Sequence, residues 1–163
     1  MKSIFYAAIM LLFINGKSVD KTSFSKEALN QQITAVDGSS IAFKDVIAKH
    51  NGKTIVLDFW ASWCSDCIKA LPAVKEFEKR HHNEIVFVTL SMDRKQEAWV
   101  KAIDKLQIPG NEHYFVPGGF KSAIGLSAEL SWIPRYLVLD TEGNIQIFNT
   151  IKVNKLEEAL FGA

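Results

Sequence analysis

The stretch Thr54–Cys67, TIVLDFWASWCSDC, decides the fold. Its first half, Thr54–Trp60, is β-branched and apolar at alternate and intervening positions alike. That is the pattern of a central strand covered by helices on both faces. Asp58 is the one charge within it. Ala61-Ser62-Trp63 then delivers Cys64 to the start of a helix predicted to run to about Arg80. Ile68, Leu71, Val74 and Phe77 fall along one face of that helix, and Pro72 kinks it.

Working outward, Gln31–Phe43 reads as a hairpin about Asp37-Gly38. Lys44–His50 reads as a short helix stopped by Asn51-Gly52. Beyond the cysteines come a second buried strand, Ile85–Ser91, and a helix, Glu97–Leu106, with Trp99, Ile103 and Leu106 on one side. Gln107–Gly119 reads as a loop because Pro109-Gly110 and Pro117-Gly118-Gly119 break it. A helical turn at Phe120–Leu126, a hairpin of Arg135–Leu139 with Ile145–Phe148, and a helix over Val153–Leu160 complete the chain. Strands joined by helical crossovers lie parallel, and the last pair is antiparallel. The expected fold class is therefore α/β: a central mixed sheet flanked by helices, with an N-terminal β-hairpin extension.

Composition bounds the function. At 163 residues, 48% hydrophobic and 23% charged, the chain is a folded domain rather than a disordered one. Nineteen basic against 18 acidic residues give a net charge of +1, and the basic residues are scattered along the sequence. Nothing in that favours nucleic acid. Two cysteines are too few for a disulfide-stapled mini-protein.

Residues 1–18 read as a signal peptide. Lys2 precedes an apolar run of 11 residues, Ile4–Ile14, which Asn15-Gly16 breaks. Residues 19–30 read as a tether and 31–163 as the domain. The expected location is outside the cytoplasm, in the periplasm, where disulfides persist. An uncleaved anchoring segment and a piece of the core are the alternatives for the first 18 residues.

Cys64 and Cys67 carry the chemistry. At the first turn of a helix, backbone N–H groups and the helix dipole stabilise a thiolate on Cys64. A spacing of three brings Cys67 to the same face, within reach of the Cys64 sulfur. So small a loop makes a poor entropic staple and a disulfide suited to exchange. A zinc half-site would need two more ligands, and the sequence holds no second cysteine pair. Gly118-Gly119 is not followed by phosphate-loop residues. No metal and no cofactor are expected.

Leu57–Cys67 resembles the active-site segment of the thioredoxin superfamily. Asp58 matches that family's buried acid, Pro72 its kinking proline and Pro134 the proline that is cis there. The hairpins and the long insert between Ser91 and Ile133 are similar to the TlpA/ResA-like group of exported thioredoxins. Ile133–Leu137 also resembles tryparedoxin and nucleoredoxin. Ser65-Asp66 replaces the Gly-Pro or Pro-Pro usual between the cysteines.

The resemblance implies a thiol–disulfide oxidoreductase that reduces disulfides in partner proteins. Cys64 would be the exposed nucleophile, Cys67 the resolving thiol, and Asp58 the acceptor of its proton. Ile133 and Pro134 would offer a backbone edge to the partner. Trp63 and Trp60 would form an apolar rim where it docks, with core packing the alternative for Trp60. Ser65 and Asp66 would tune the couple. Asp66 repels a thiolate on Cys64, which favours a reductant, and Lys69 offsets part of that. An outside electron donor is implied, and a monomer is expected. A redox sensor or interaction module without turnover, and a thiol peroxidase, are the competing readings.

Overall fold

A computed structural model of the chain describes residues 21–162. The segment read as an export signal lies outside them. Its fold is a seven-stranded mixed sheet with helices on both faces.

The central strand is β3 (Thr54–Trp60), with β4 (Ile85–Ser91) parallel to it on one side and β6 (Arg135–Leu139) antiparallel on the other. Every residue of β3 after Thr54 is buried, as its unbroken apolar run requires. β7 (Ile145–Thr150) pairs with β6 at one edge. At the far side, β1 (Gln32–Ala35) and β2 (Ser40–Ala42) form the predicted hairpin.

Glu112–Phe115 lies within the stretch read as a loop but forms a strand, β5. It pairs parallel with β4 and antiparallel with β1. The hairpin is thereby part of the main sheet, whose order is β2-β1-β5-β4-β3-β6-β7. The strand is short, carries Glu112 and His113, and sits between Pro-Gly breakers, so it lacks an apolar signature.

Alternation along β3 assigns the two faces. Val56, Phe87, Tyr136 and Val138 pack beneath α3 (Ser65–His81) and α6 (Val153–Phe161), through Val74, Phe77 and Leu156. Ile55, Leu57, Phe59, Val88 and Leu90 face the opposite core. That core includes Val46 from α2 (Phe43–Lys49), Trp99 from α4 (Gln96–Leu106) and Ile124 from α5 (Ala123–Ser127).

The described part of the stretch read as a tether also joins this second core. Lys26–Asn30 is a helix, α1, capped by the Ser25 side chain, which accepts from Ala28 N. Phe24 and Ala28 are buried, and the Phe24 ring meets Phe43 edge-on with centroids 5.0 Å apart. Two apolar residues among serines and lysines give no periodic signal, yet they cap the end of the core.

Phe24→Ala is therefore expected to lower the unfolding free energy by about 3 kcal/mol in a urea titration, the scale of a buried aromatic truncation. A segment that merely tethers the domain would leave the midpoint where it was.

Candidate active site

The site is built at the ends of β3 and β4, where two parallel strands release their chains on the same side of the sheet. Such carboxyl ends are where open α/β sheets place their sites. Ala61–Trp63 leaves β3 and is pinned to Asp93, the second residue after β4. Asp93 Oδ2 accepts from Ser62 N at 3.0 Å and Oδ1 from Ser62 Oγ at 2.6 Å. Ser91 Oγ donates to Asp93 Oδ2 at 2.8 Å. Sequence reasoning missed Asp93; its signal is an acid two residues after a buried strand that runs beside the one leading into the cysteines.

Cys64 caps α3. Its Sγ accepts from Cys67 N at 3.1 Å, and it is disulfide-bonded to Cys67 with a Cα–Cα distance of 5.3 Å. The same N–H is in place to hold a thiolate once the bond is reduced.

The expectation that Cys64 is exposed needs correction. Cys64 is 6% exposed and Cys67 7%, so accessible area does not distinguish them. Direction does. Cys64 opens onto an outer groove of about 320 Å³ walled by Trp63, Phe120, Trp132 and Ile133. Cys67 lines an inner cavity of about 10 Å³ together with Asp58, Trp60, Pro134 and Tyr136. That volume is at the threshold for a single water.

Asp58 sits at the bottom of this inner cavity. It is buried rather than at a strand edge, and its Oδ1 has no hydrogen-bond partner. Burial pushes its carboxyl up to about 7. Across the sheet it is in register with Tyr136 on β6 and Thr89 on β4, and Thr89 with His113 on β5. Burial holds the His113 imidazole below its ordinary value, so it is neutral, and it hydrogen-bonds the Gly110 backbone. Its Nδ1 thus accepts from the Thr89 hydroxyl at 2.8 Å. The Thr89 hydroxyl beside Asp58 in the sheet is therefore engaged elsewhere, and the carboxyl shares the cavity with Tyr136.

The remaining predicted residues separate into three groups. Ile133 and Pro134 stand opposite the disulfide: the Ile133 carbonyl oxygen lies 3.7 Å from Cys64 Sγ, and the Ile133–Pro134 peptide is cis. Trp63 is 58% exposed and rims the groove, whereas Trp60 is buried and belongs to the core. Trp132, which no motif singles out, is 49% exposed on the opposite rim. The Arg135 guanidinium lies 4.4 Å from the Trp132 ring centroid and supports the indole from beneath. Ser65 and Asp66 are exposed at the start of α3, and Lys69 Nζ lies 3.3 Å from Asp66 Oδ1. That ion pair is solvated, so it weakens the field of Asp66 at Cys64 without adding much stability.

A mixed sheet with a helix-capping cysteine pair over a buried carboxyl on its central strand defines a thioredoxin-class site. The chain matches the thioredoxin-like family model over residues 51–145 and belongs to that family. Thiol-disulfide oxidoreductase ResA of Bacillus cereus is 31% identical over 80 residues, which are 48% of this chain and 44% of that protein. The chloroplastic thioredoxin-like protein HCF164 of Arabidopsis thaliana is 28% identical over 76 residues, 47% of this chain and 28% of that protein. The chain thus spans less than half the length of these curated relatives. Among solved structures, a candidate thiol-disulfide oxidoreductase from Bacteroides vulgatus superposes with a TM-score of 0.67 at 29% identity. That match covers 85% of this chain and 91% of the other. A thiol-disulfide oxidoreductase from Bacteroides fragilis gives 0.67 at 23% identity, over 83% and 100% of the two chains, and supports the fold alone.

The buried carboxyl has a signed consequence for stability. Asp58 holds its proton in the fold more tightly than its ordinary value of 3.8. Its favourable contribution is complete below about pH 3.8 and is lost as pH rises toward about 7. Asp58→Asn is expected to stabilise the oxidised protein by about 2–4 kcal/mol at pH 8 and by little at pH 4. Equal gains at both pH values in urea unfolding would contradict this.

Proposed function

We propose that the protein is a thiol–disulfide oxidoreductase that reduces disulfides in partner proteins through a Cys64–Cys67 dithiol/disulfide cycle. The observation that carries this reading is the division of the two sulfurs. Cys64 opens on a groove large enough for a polypeptide segment, and Cys67 lines a small, mainly apolar cavity that it shares with the buried Asp58.

In the reduced protein the Cys64 thiolate, held by the Cys67 N–H and the start of α3, attacks one sulfur of the partner's disulfide. The Cys64–partner bond forms, the partner's own S–S bond breaks, and its second sulfur leaves as a thiolate that takes a proton from water. The Cys67 thiol then passes its proton to Asp58, directly or through the one water the cavity accommodates. Its thiolate attacks Cys64 Sγ, and the partner's remaining sulfur leaves as a thiolate and is protonated. The partner gains two electrons and two protons. The Cys64–Cys67 disulfide that results is the state seen in this structure. An external dithiol donor reduces it again.

Ile133, with its carbonyl facing Cys64, offers the partner a backbone edge in the manner of an added strand, and Pro134 interrupts competing pairing because it has no N–H. Trp63 and Trp132 supply the apolar walls. Asp66 biases the couple toward reduction of partners, with Lys69 offsetting part of its field. The protein acts as a monomer, exported to the periplasm or held at a membrane by its N-terminal segment, with disulfide-bearing proteins rather than nucleic acid as partners. No helix among the described residues is long and apolar enough to cross a membrane.

Insulin-disulfide reduction with a dithiol as electron source tests this. Wild type is expected to accelerate it, and Cys64→Ser to abolish the acceleration. Cys67→Ser should accumulate a mixed disulfide through Cys64 that a dithiol releases. Consumption of peroxide without disulfide reduction would overturn the reading, as would a disulfide that cycles without turning over any protein substrate.

A further inference from the structure

Trp63 lines three hollows, and only the one above the disulfide belongs to the exchange reaction. The other two, of about 480 and 500 Å³, flank the indole on the side away from α3. One reaches to Lys121 and Gly119, the other to Lys95 and Ala98, and both include Asp93 and Arg94. Trp63 gives both an apolar wall, joined by Met92 and Phe120 in the first and Ala98 in the second.

The charges lining them are unequal. Asp93 is 3% exposed, and both its oxygens are spent on Ser62 and Ser91. Arg94, Lys95 and Lys121 are exposed, and among the described residues none has a carboxylate within salt-bridge distance. Asp93 is the one acid that lines the hollows; Glu97, the next acid in sequence, lines neither. On the other side of Cys64 the charges cancel, because Asp66 is paired with Lys69. Gly119 keeps the wall between Lys121 and Met92 low: its φ is +52°, and a Cβ there would meet Met92 O at 3.2 Å.

An aromatic platform beside three unpartnered cations, continuous through Trp63 with the disulfide groove, suits an extended peptide that carries carboxylates. We infer that this flank selects protein substrates whose target disulfide is neighboured by Asp or Glu. The inference rests on the disulfide-reducing function proposed above and names the class of partner for it. It follows from field focusing in a cleft of net positive charge, where Arg94, Lys95 and Lys121 outnumber the buried Asp93, and such a preference weakens as salt screens it.

The test compares three disulfide-linked peptides of one sequence, with Glu, Gln or Lys at the positions flanking the cysteines. The readout is the ratio of kcat/KM values. Wild type is expected to prefer the Glu peptide over the Gln peptide by about tenfold at low ionic strength, and by much less in 0.5 M salt. The Arg94→Glu/Lys121→Glu variant should invert the ratio in favour of the Lys peptide, and Arg94→Gln/Lys121→Gln should bring it near one. Lys53→Glu/Lys105→Glu makes the same change in net charge away from the flank and should keep the wild-type ratio. Because each ratio is internal to one protein, partial loss of folded material does not alter it. Equal rates on all three peptides in wild type would overturn the inference, as would a Glu preference that survives charge reversal; both leave the disulfide-reducing function standing. Failure of wild type to reduce any of the peptides would overturn that function and this inference with it.

Discussion

A helix cannot satisfy its own first N–H groups, and in α3 the sulfur of Cys64 takes one of them. The rest of the site depends on that geometry. The capping position fixes Cys64 at the rim of the helix, where its sulfur faces the Ile133 carbonyl and the outer groove. Cys67, three residues on, is turned under the helix toward Asp58. One disulfide thus spans two environments, a groove that admits a polypeptide and a cavity that admits a water. The N–H that caps the helix in this disulfide-bonded state is also placed to face a thiolate on Cys64.

The sheet beneath supplies the second requirement, an ionisable group out of reach of solvent. A carboxyl on a central strand covered by α3 loses most of its solvation: its Oδ1 has no hydrogen-bond partner, and the Thr89 hydroxyl beside it is committed to His113. Burial raises the carboxyl's proton affinity, and that is what the proposed transfer of the Cys67 proton draws on. It also costs the folded state stability at neutral pH, which is the usual relation between a functional group and the core that holds it.

How much of this is legible in the sequence depends on whether a feature is periodic, local or assembled. The strands Thr54–Trp60 and Ile85–Ser91 announce themselves because both their faces are buried, and the helix after Cys64 because its apolar residues recur on one face. The cysteine pair and Asp58 are local, one motif on one strand, and they stand where their spacing puts them. The strand Glu112–Phe115 is invisible because only its pairing with β4 and β1 makes it a strand. Phe24 and Ala28 become core residues only because α5 and α2 come to meet them. The cationic flank is assembled too. Arg94 follows β4 and Lys121 follows β5, so scattered charges in the sequence gather at the ends of adjacent parallel strands. Trp132 owes its place on the rim to Arg135 beneath it, a contact no pattern in the sequence discloses.

The central claim is that Cys64 and Cys67 form a reducing couple. An equilibrium titration of the pair against a series of thiol–disulfide buffers tests it most directly. The account predicts one two-electron transition at about −270 mV, the range of a reductant that depends on an outside donor. A transition near about −120 mV, the range of a strong oxidant, would contradict it and with it the role given to Asp66.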